Sequence, residues 1–147
     1  MPSLLIIDDN QADADLYKEW LRLCLEKNAL KFLNCSNISD GLASFEAHDP
    51  KCVLLDYQMA KGDGIDFLKL LEEKVGRAVP VIFMTAYGDE EVAQECLIHG
   101  AQHFLPKQGL NEEILCKKVQ DVLELNDTDL LDVNNAIQQH LQKISTQ

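Results

Sequence analysis

Short apolar runs alternate with longer amphipathic ones along this chain. Ser3–Asp8 reads as a buried strand, and Ala12–Lys27 as a helix with Leu16, Trp20, Leu23 and Cys24 along one face. Leu30–Asn34 is a second strand. Ser39–Ala47 is a short helix stopped by His48-Asp49-Pro50. Cys52–Asp56 is a third strand. A Lys61-Gly62-Asp63-Gly64 turn follows, with Asp63 capping a helix through Val75 that Gly76 closes. Pro80 precedes a fourth strand, Val81–Met84. Asp89–His99 is a helix ended by Gly100, Gln102–Leu105 a fifth strand, and Leu110–Leu125 a fifth helix. Beyond Asn126-Asp127-Thr128, Leu130, Val133, Ile137, Leu141 and Ile144 recur at helical spacing and predict a sixth, amphipathic helix.

Five strand–helix repeats predict a doubly wound parallel sheet covered on both faces. Right-handed crossovers leave few topologies. The expected one is flavodoxin-like (βα)5 with strand order 2-1-3-4-5, plus an extra C-terminal amphipathic helix. Residues 1–126 form the α/β domain and 127–147 a helical extension.

In such sheets, ligands bind outside the carboxyl ends of the strands, at the topological switch point. Five polar residues stand at predicted strand ends: Asp8 and Asp9, Asp56, Thr85 and Lys107. The order brings Asp8, Asp9 and Asp56 together. Three converging carboxylates stay ionised only if a cation offsets them. A hard oxygen site of this kind suits Mg2+, with Mn2+ the alternative. Asp56 is then free to act as a nucleophile forming an acyl phosphate. Phosphoryl transfer asks mainly for positioning and charge neutralisation, which the metal, the Thr85 hydroxyl and the Lys107 ammonium would supply. Each residue alone has a blander reading as a turn residue, a β-former or a solvated lysine. Their joint occurrence in this order carries the argument.

Composition narrows the partners. The 147 residues allow one domain with a real core, and the 46% hydrophobic content is that of a globular chain. A net charge of −12 argues against direct contact with nucleic acid or an anionic membrane. No apolar run is long enough to span a bilayer, and no basic leader precedes the first strand, so a cytoplasmic location is expected. The five cysteines form no Cys-x-x-Cys pair, and their spacing matches no disulfide framework or zinc site. They read as small hydrophobes in a reducing compartment. His99 and His103 share no helical face and do not suggest a metal site. Trp20 reads as packing.

Several stretches resemble the response-regulator receiver domains of two-component signalling. They are Leu5-Ile6-Ile7-Asp8-Asp9-Asn10, Val53-Leu54-Leu55-Asp56-Tyr57-Gln58-Met59, Gly62-Asp63-Gly64, Val81-Ile82-Phe83-Met84-Thr85-Ala86 and Gly100-Ala101-Gln102-His103-Phe104-Leu105-Pro106-Lys107. The resemblance covers residues 3–125. It implies that Asp56 accepts a phosphoryl group from a histidine kinase or a histidine phosphotransfer protein. Asp9 and Asp56 would ligate Mg2+, with Asp8 acting mainly through water and the Gln58 carbonyl completing the set. Thr85, Ala86 and Lys107 would contact the phosphoryl group. Phe104 matches the aromatic that turns inward as Thr85 moves, a bistable element biased by new charge. Gln58 and Tyr87 would flank the site. Three positions depart from the family pattern. Ala60 and Gln108 replace common prolines, so a cis peptide after Lys107 is not expected. Phe104 lacks a hydroxyl, so its switching must act by packing.

The resemblance implies a switch, not a turnover enzyme. An aspartyl-nucleophile phosphatase of the haloacid-dehalogenase type needs a second aspartate two residues after the nucleophile, where Gln58 stands. A phosphorylation-independent interaction module is the other alternative, and the complete five-residue set argues against it. The output partner is unknown from the sequence. The segment after Leu125 is too short for a separate output domain, and its near-heptad leaves open homodimerisation, packing against the domain, or the start of a signalling helix in a longer chain.

Overall fold

The computed structural model describes residues 2–25, 30–57, 63–75, 80–86, 91 and 103–127. Five strands form one parallel sheet: β1 (Ser3–Ile7), β2 (Lys31–Cys35), β3 (Cys52–Asp56), β4 (Val81–Thr85) and β5 (His103–Pro106). Their order is β2-β1-β3-β4-β5, as expected from the alternation. Four helices are described: α1 (Gln11–Cys24), α2 (Ile38–His48), α3 (Asp63–Val75) and α4 (Glu112–Asp127). The helix expected over 89–99 and the sixth helix expected after 127 lie outside the described residues, Glu91 and its helical backbone excepted.

The central strands are apolar on both sides, so their alternation sorts one core into two halves. Leu4, Ile6, Leu54, Ile82 and Met84 face α1 and α4, against Ala14, Tyr17, Leu21, Leu115, Val119 and Val122. Leu5, Ile7, Val53, Leu55, Val81 and Phe83 face α2 and α3, against Phe45, Phe67, Leu68 and Leu71. β2 is an edge strand and only half-buried.

Capping explains where the helix boundaries shift. Asn10 accepts from the Asp13 N–H, so α1 starts at Gln11 rather than Ala12. Asn111 accepts from the Ile114 N–H at 2.8 Å, so the last helix starts at Glu112 rather than Leu110. α3 is described from Asp63, and the turn expected before it lies outside the described residues. Asp49 ends α2 in the left-handed region at φ 45°, immediately before Pro50. Strands β4 and β5 run one residue further than expected, to Thr85 and Pro106, because both pair with each other there.

Two expectations are corrected. The buried stripe of α1 is Ala14, Tyr17 and Leu21, whereas Leu16 and Leu23 are 44% and 61% exposed. The two stripes lie side by side on one helix, and spacing alone does not say which faces the sheet. Trp20 does pack, partly buried, against that core. The second correction concerns the cysteines. Cys24 and Cys116 form a disulfide between α1 and α4, with Cα atoms 6.2 Å apart and 92 residues between them in sequence. Only the packing of these two helices brings them together, so local spacing carried no sign of it. Cys52 and Cys35 are free. Burial pushes the Cys52 thiol up to about 12 and also raises Cys35, which disfavours the thiolate at both.

Candidate functional site at the carboxyl edge of the sheet

Strand alternation places the site residues. Asp8 and Asp56 continue the side of Ile6 and Leu54, and Lys107 continues the side of Leu105, all toward α1 and α4. The backbone fixes their anchors. The Asp8 N–H donates to the Cys35 carbonyl at 3.0 Å, and the Lys107 N–H donates to the Thr85 carbonyl at 2.6 Å. The second bond joins the ends of β4 and β5 at the two residues expected to hold a phosphoryl group.

The carboxylates of Asp8, Asp9 and Asp56 each place an oxygen within 4.8 Å of the others. Asp8 and Asp56 are buried at 2% and 6% exposure, and Asp9 is exposed. Lys107 Nζ lies 3.4 Å from Asp8 Oδ2, 3.3 Å from Asp56 Oδ2 and 3.2 Å from Asp13 Oδ2. Burial raises Asp8 above the ordinary carboxylate range, opposed by the Asn10 N–H at 2.8 Å and by the Lys107 charge. Burial alone would depress Lys107, but Asp56, Tyr17, Asp8 and Asp13 outweigh it and raise the ammonium above its usual value. Burial lifts Tyr17, beneath this group on α1, to about 12. Hard oxygen donors at this spacing, already bearing excess negative charge, fit a divalent cation.

Thr85 is buried at the end of β4, with Ala86 half-buried after it. Phe104 is half-buried and packs on the other half of the core, against Phe83. Among the described residues every peptide is trans, including the one after Lys107. Gln58, Ala60 and Tyr87 lie outside the described residues. Asp13 is a site residue that the sequence pattern did not single out. Its place in the first turn of a helix that starts two residues after Asp9 was the available signal, because that turn stands at the same edge of the sheet.

A sequence model of the response regulator receiver domain matches residues 4–120. The chain belongs to that family. It is 31% identical over 113 residues to the KDP operon transcriptional regulatory protein KdpE of Escherichia coli, covering 76% of this chain and 48% of that one. It is 29% identical to the transcriptional regulatory protein TdiR of Thauera aromatica, covering 98% and 60%. The chain thus spans about half the length of the curated relatives it matches. A response regulator receiver protein from Burkholderia phymatum superposes with a TM-score of 0.63 at 30% identity, covering 84% of this chain and 95% of that one. The receiver domain of a DNA-binding response regulator from Colwellia psychrerythraea gives 0.74 at 25%, covering 84% and 99%.

Receivers of this family are phospho-acceptor switches and typically not turnover enzymes. They generally bind Mg2+ through acidic residues and take phosphoryl groups from histidine kinases or phosphotransfer proteins. The receiver has its acidic cluster in Asp8, Asp9 and Asp56. No helix among the described residues is long and apolar enough to cross a membrane.

Proposed function

We propose that Asp56 is the phosphoryl acceptor of this receiver and that phosphorylation switches its binding to a partner. The observation that carries the reading is the contact of Lys107 Nζ with both Asp8 and Asp56, at the edge where Thr85 also ends. An Asp56 carboxylate oxygen attacks phosphorus. The new O–P bond forms as the N–P bond of the donor phosphohistidine breaks, and the electron pair leaves with the imidazole nitrogen. Asp8, Asp9 and Asp56 would hold Mg2+, with the Gln58 carbonyl as a further ligand. The ion, when bound, neutralises phosphoryl oxygens. Lys107 contributes its ammonium, Thr85 its hydroxyl and Ala86 its backbone N–H. Phe104 reads out the change by repacking beside Thr85.

The donor is a histidine kinase or histidine phosphotransfer protein in the cytoplasm, and the output is a protein contact or self-association. We read residues 1–126 as the receiver and 127–147 as an extension of it. Intact mass after incubation with acetyl phosphate and Mg2+ tests the acceptor. One phosphoryl adduct is expected, dependent on the metal and absent from Asp56→Asn. Labelling that persists in the variant would move the acceptor elsewhere. No adduct, together with no chemical-shift response to beryllofluoride, would reduce the protein to a silent interaction module.

A further inference from the structure

Asp13 is the third residue of α1, after the cap Asn10. An acidic residue there commonly reaches back to the cap's own N–H, completing a capping box. Here that N–H is taken by Asp8 Oδ1 at 2.8 Å. The Asp13 carboxylate is therefore released from local capping, and it turns to Lys107 Nζ at 3.2 Å. It lies outside the group of Asp8, Asp9 and Asp56 that could hold a cation. Lys107 meanwhile contacts Asp8 Oδ2 and Asp56 Oδ2, carboxylate oxygens of that same group. A divalent ion and the ammonium thus compete for shared donors.

We propose that Asp13 is a positioning residue. It gives Lys107 a counter-charge away from the cation's ligands, so that metal and ammonium occupy the site together. This inference rests on the Mg2+ reading above. Without Asp13 the ammonium falls back on Asp8 and Asp56, and the site loses one negative charge. Both effects weaken divalent-cation binding. Lys107 also loses the tether that orients it beside Asp56.

Calorimetric titration with Mg2+ tests this on the full chain. Asp13→Asn is expected to raise the Mg2+ Kd about three- to tenfold, a range discounted for the partial exposure of Asp13. Asp15→Asn is the control. It removes the same charge from the same helix, but Asp15 is exposed and, among the described residues, contacts Gln11 and Lys18 rather than Lys107. Its Kd should stay within about twofold of the parent. Asp13→Glu should restore most of the affinity. In a Lys107→Gln background the effect of Asp13→Asn should shrink, because the positioning acts through the ammonium. The rate of acetyl phosphate labelling at saturating Mg2+ should also fall in Asp13→Asn, separating Lys107 orientation from metal affinity. Parent-like Mg2+ affinity in Asp13→Asn would overturn the inference while leaving the acceptor reading intact. Equal weakening in Asp15→Asn would overturn it too, by showing a diffuse charge effect. A parent protein that binds no Mg2+ would instead remove the metal reading itself, and this inference with it.

Discussion

Phe104 stacks on Phe83, with ring centroids 6.5 Å apart and planes 28° from parallel. The two are register partners on adjacent strands, β5 and β4. Phe83 is fully buried, and it also meets Tyr57 edge-on at 6.1 Å. Phe104 therefore already has a seat in the core, and any inward rotation must trade that stacking for something better.

Replacing Phe104 by Leu keeps most of the apolar volume and removes the ring contact. The expected cost is about 0.5–1.5 kcal/mol of unfolding free energy. Urea denaturation would measure it. If Phe104 reports phosphorylation, its ring resonances should shift on beryllofluoride addition while those of Phe45, at the far side of the core, stay put. Unchanged Phe104 resonances in a saturated complex would remove this aromatic from the switch.

Asp8 stabilises the metal-free protein least when it is charged. Its folded-state pKa is raised by burial, so the folded chain binds the proton more readily than the unfolded one. Stability attributable to this group therefore falls as pH rises from the unfolded value of 3.8 through the folded one, and returns as pH drops back. Asp8→Asn should raise the Tm of metal-free protein at pH 7, and the gain over the parent should shrink toward pH 4. Calorimetry at several pH values checks both. A variant less stable than the parent at pH 7 would show that the Lys107 contact outweighs the burial cost. Mg2+ should then stabilise the parent and hardly affect the variant.

Gly41 on α2 sits against Ile7, the last residue of β1. A methyl group there would stand 2.5 Å from Ile7 Cδ1 and 3.0 Å from Ile7 Cγ1. Alanine would gain about 1 kcal/mol of helix propensity. Ile7 is fully buried, so the overpacking cost of about 1–3 kcal/mol should prevail. We expect Gly41→Ala to be destabilising by roughly 1 kcal/mol on balance. Ile7→Val, which deletes the clashing methyl, should make the double variant better than the sum of the singles. Thermal unfolding of all four proteins decides it.

The disulfide between Cys24 and Cys116 closes a long loop. On the chain-entropy account a loop of this length is worth about 4–5 kcal/mol. Reduction, or Cys116→Ser, should lower Tm by on the order of 10 °C. Thiol titration of the denatured protein should show two fewer thiols before reduction than after it. An unchanged thiol count would mean that the pair stays reduced.

The strands and their order were legible because central parallel strands are continuous apolar runs, as in Leu4–Ile7, Cys52–Leu55 and Val81–Met84. The carboxylate cluster was legible for a related reason: topology alone brings the ends of β1 and β3 together. What stayed hidden depends on side chains meeting across elements. The face of α1 was misread because Leu16 and Leu23 mimic a core stripe while Ala14 and Tyr17 do the packing. The Cys24–Cys116 pair and the Asp13–Lys107 contact join residues 92 and 94 positions apart, and no periodic pattern encodes such distances. Cap positions were legible only in part. Asn10 follows Asp8 and Asp9, residues of similar capping power, and geometry chooses among them.

The position of β1 inside the sheet divides the site unevenly along the chain. Its two neighbours are β2 and β3, so the carboxylates of Asp8, Asp9 and Asp56 can meet once the first 56 residues have been made. Lys107, which contacts Asp8 and Asp56, follows β5 about a third of a chain later. Until then the emerging polypeptide holds three like charges with no ammonium among them. The final strand then brings the charge that allows the first one to settle, which ties completion of the fold to completion of the site.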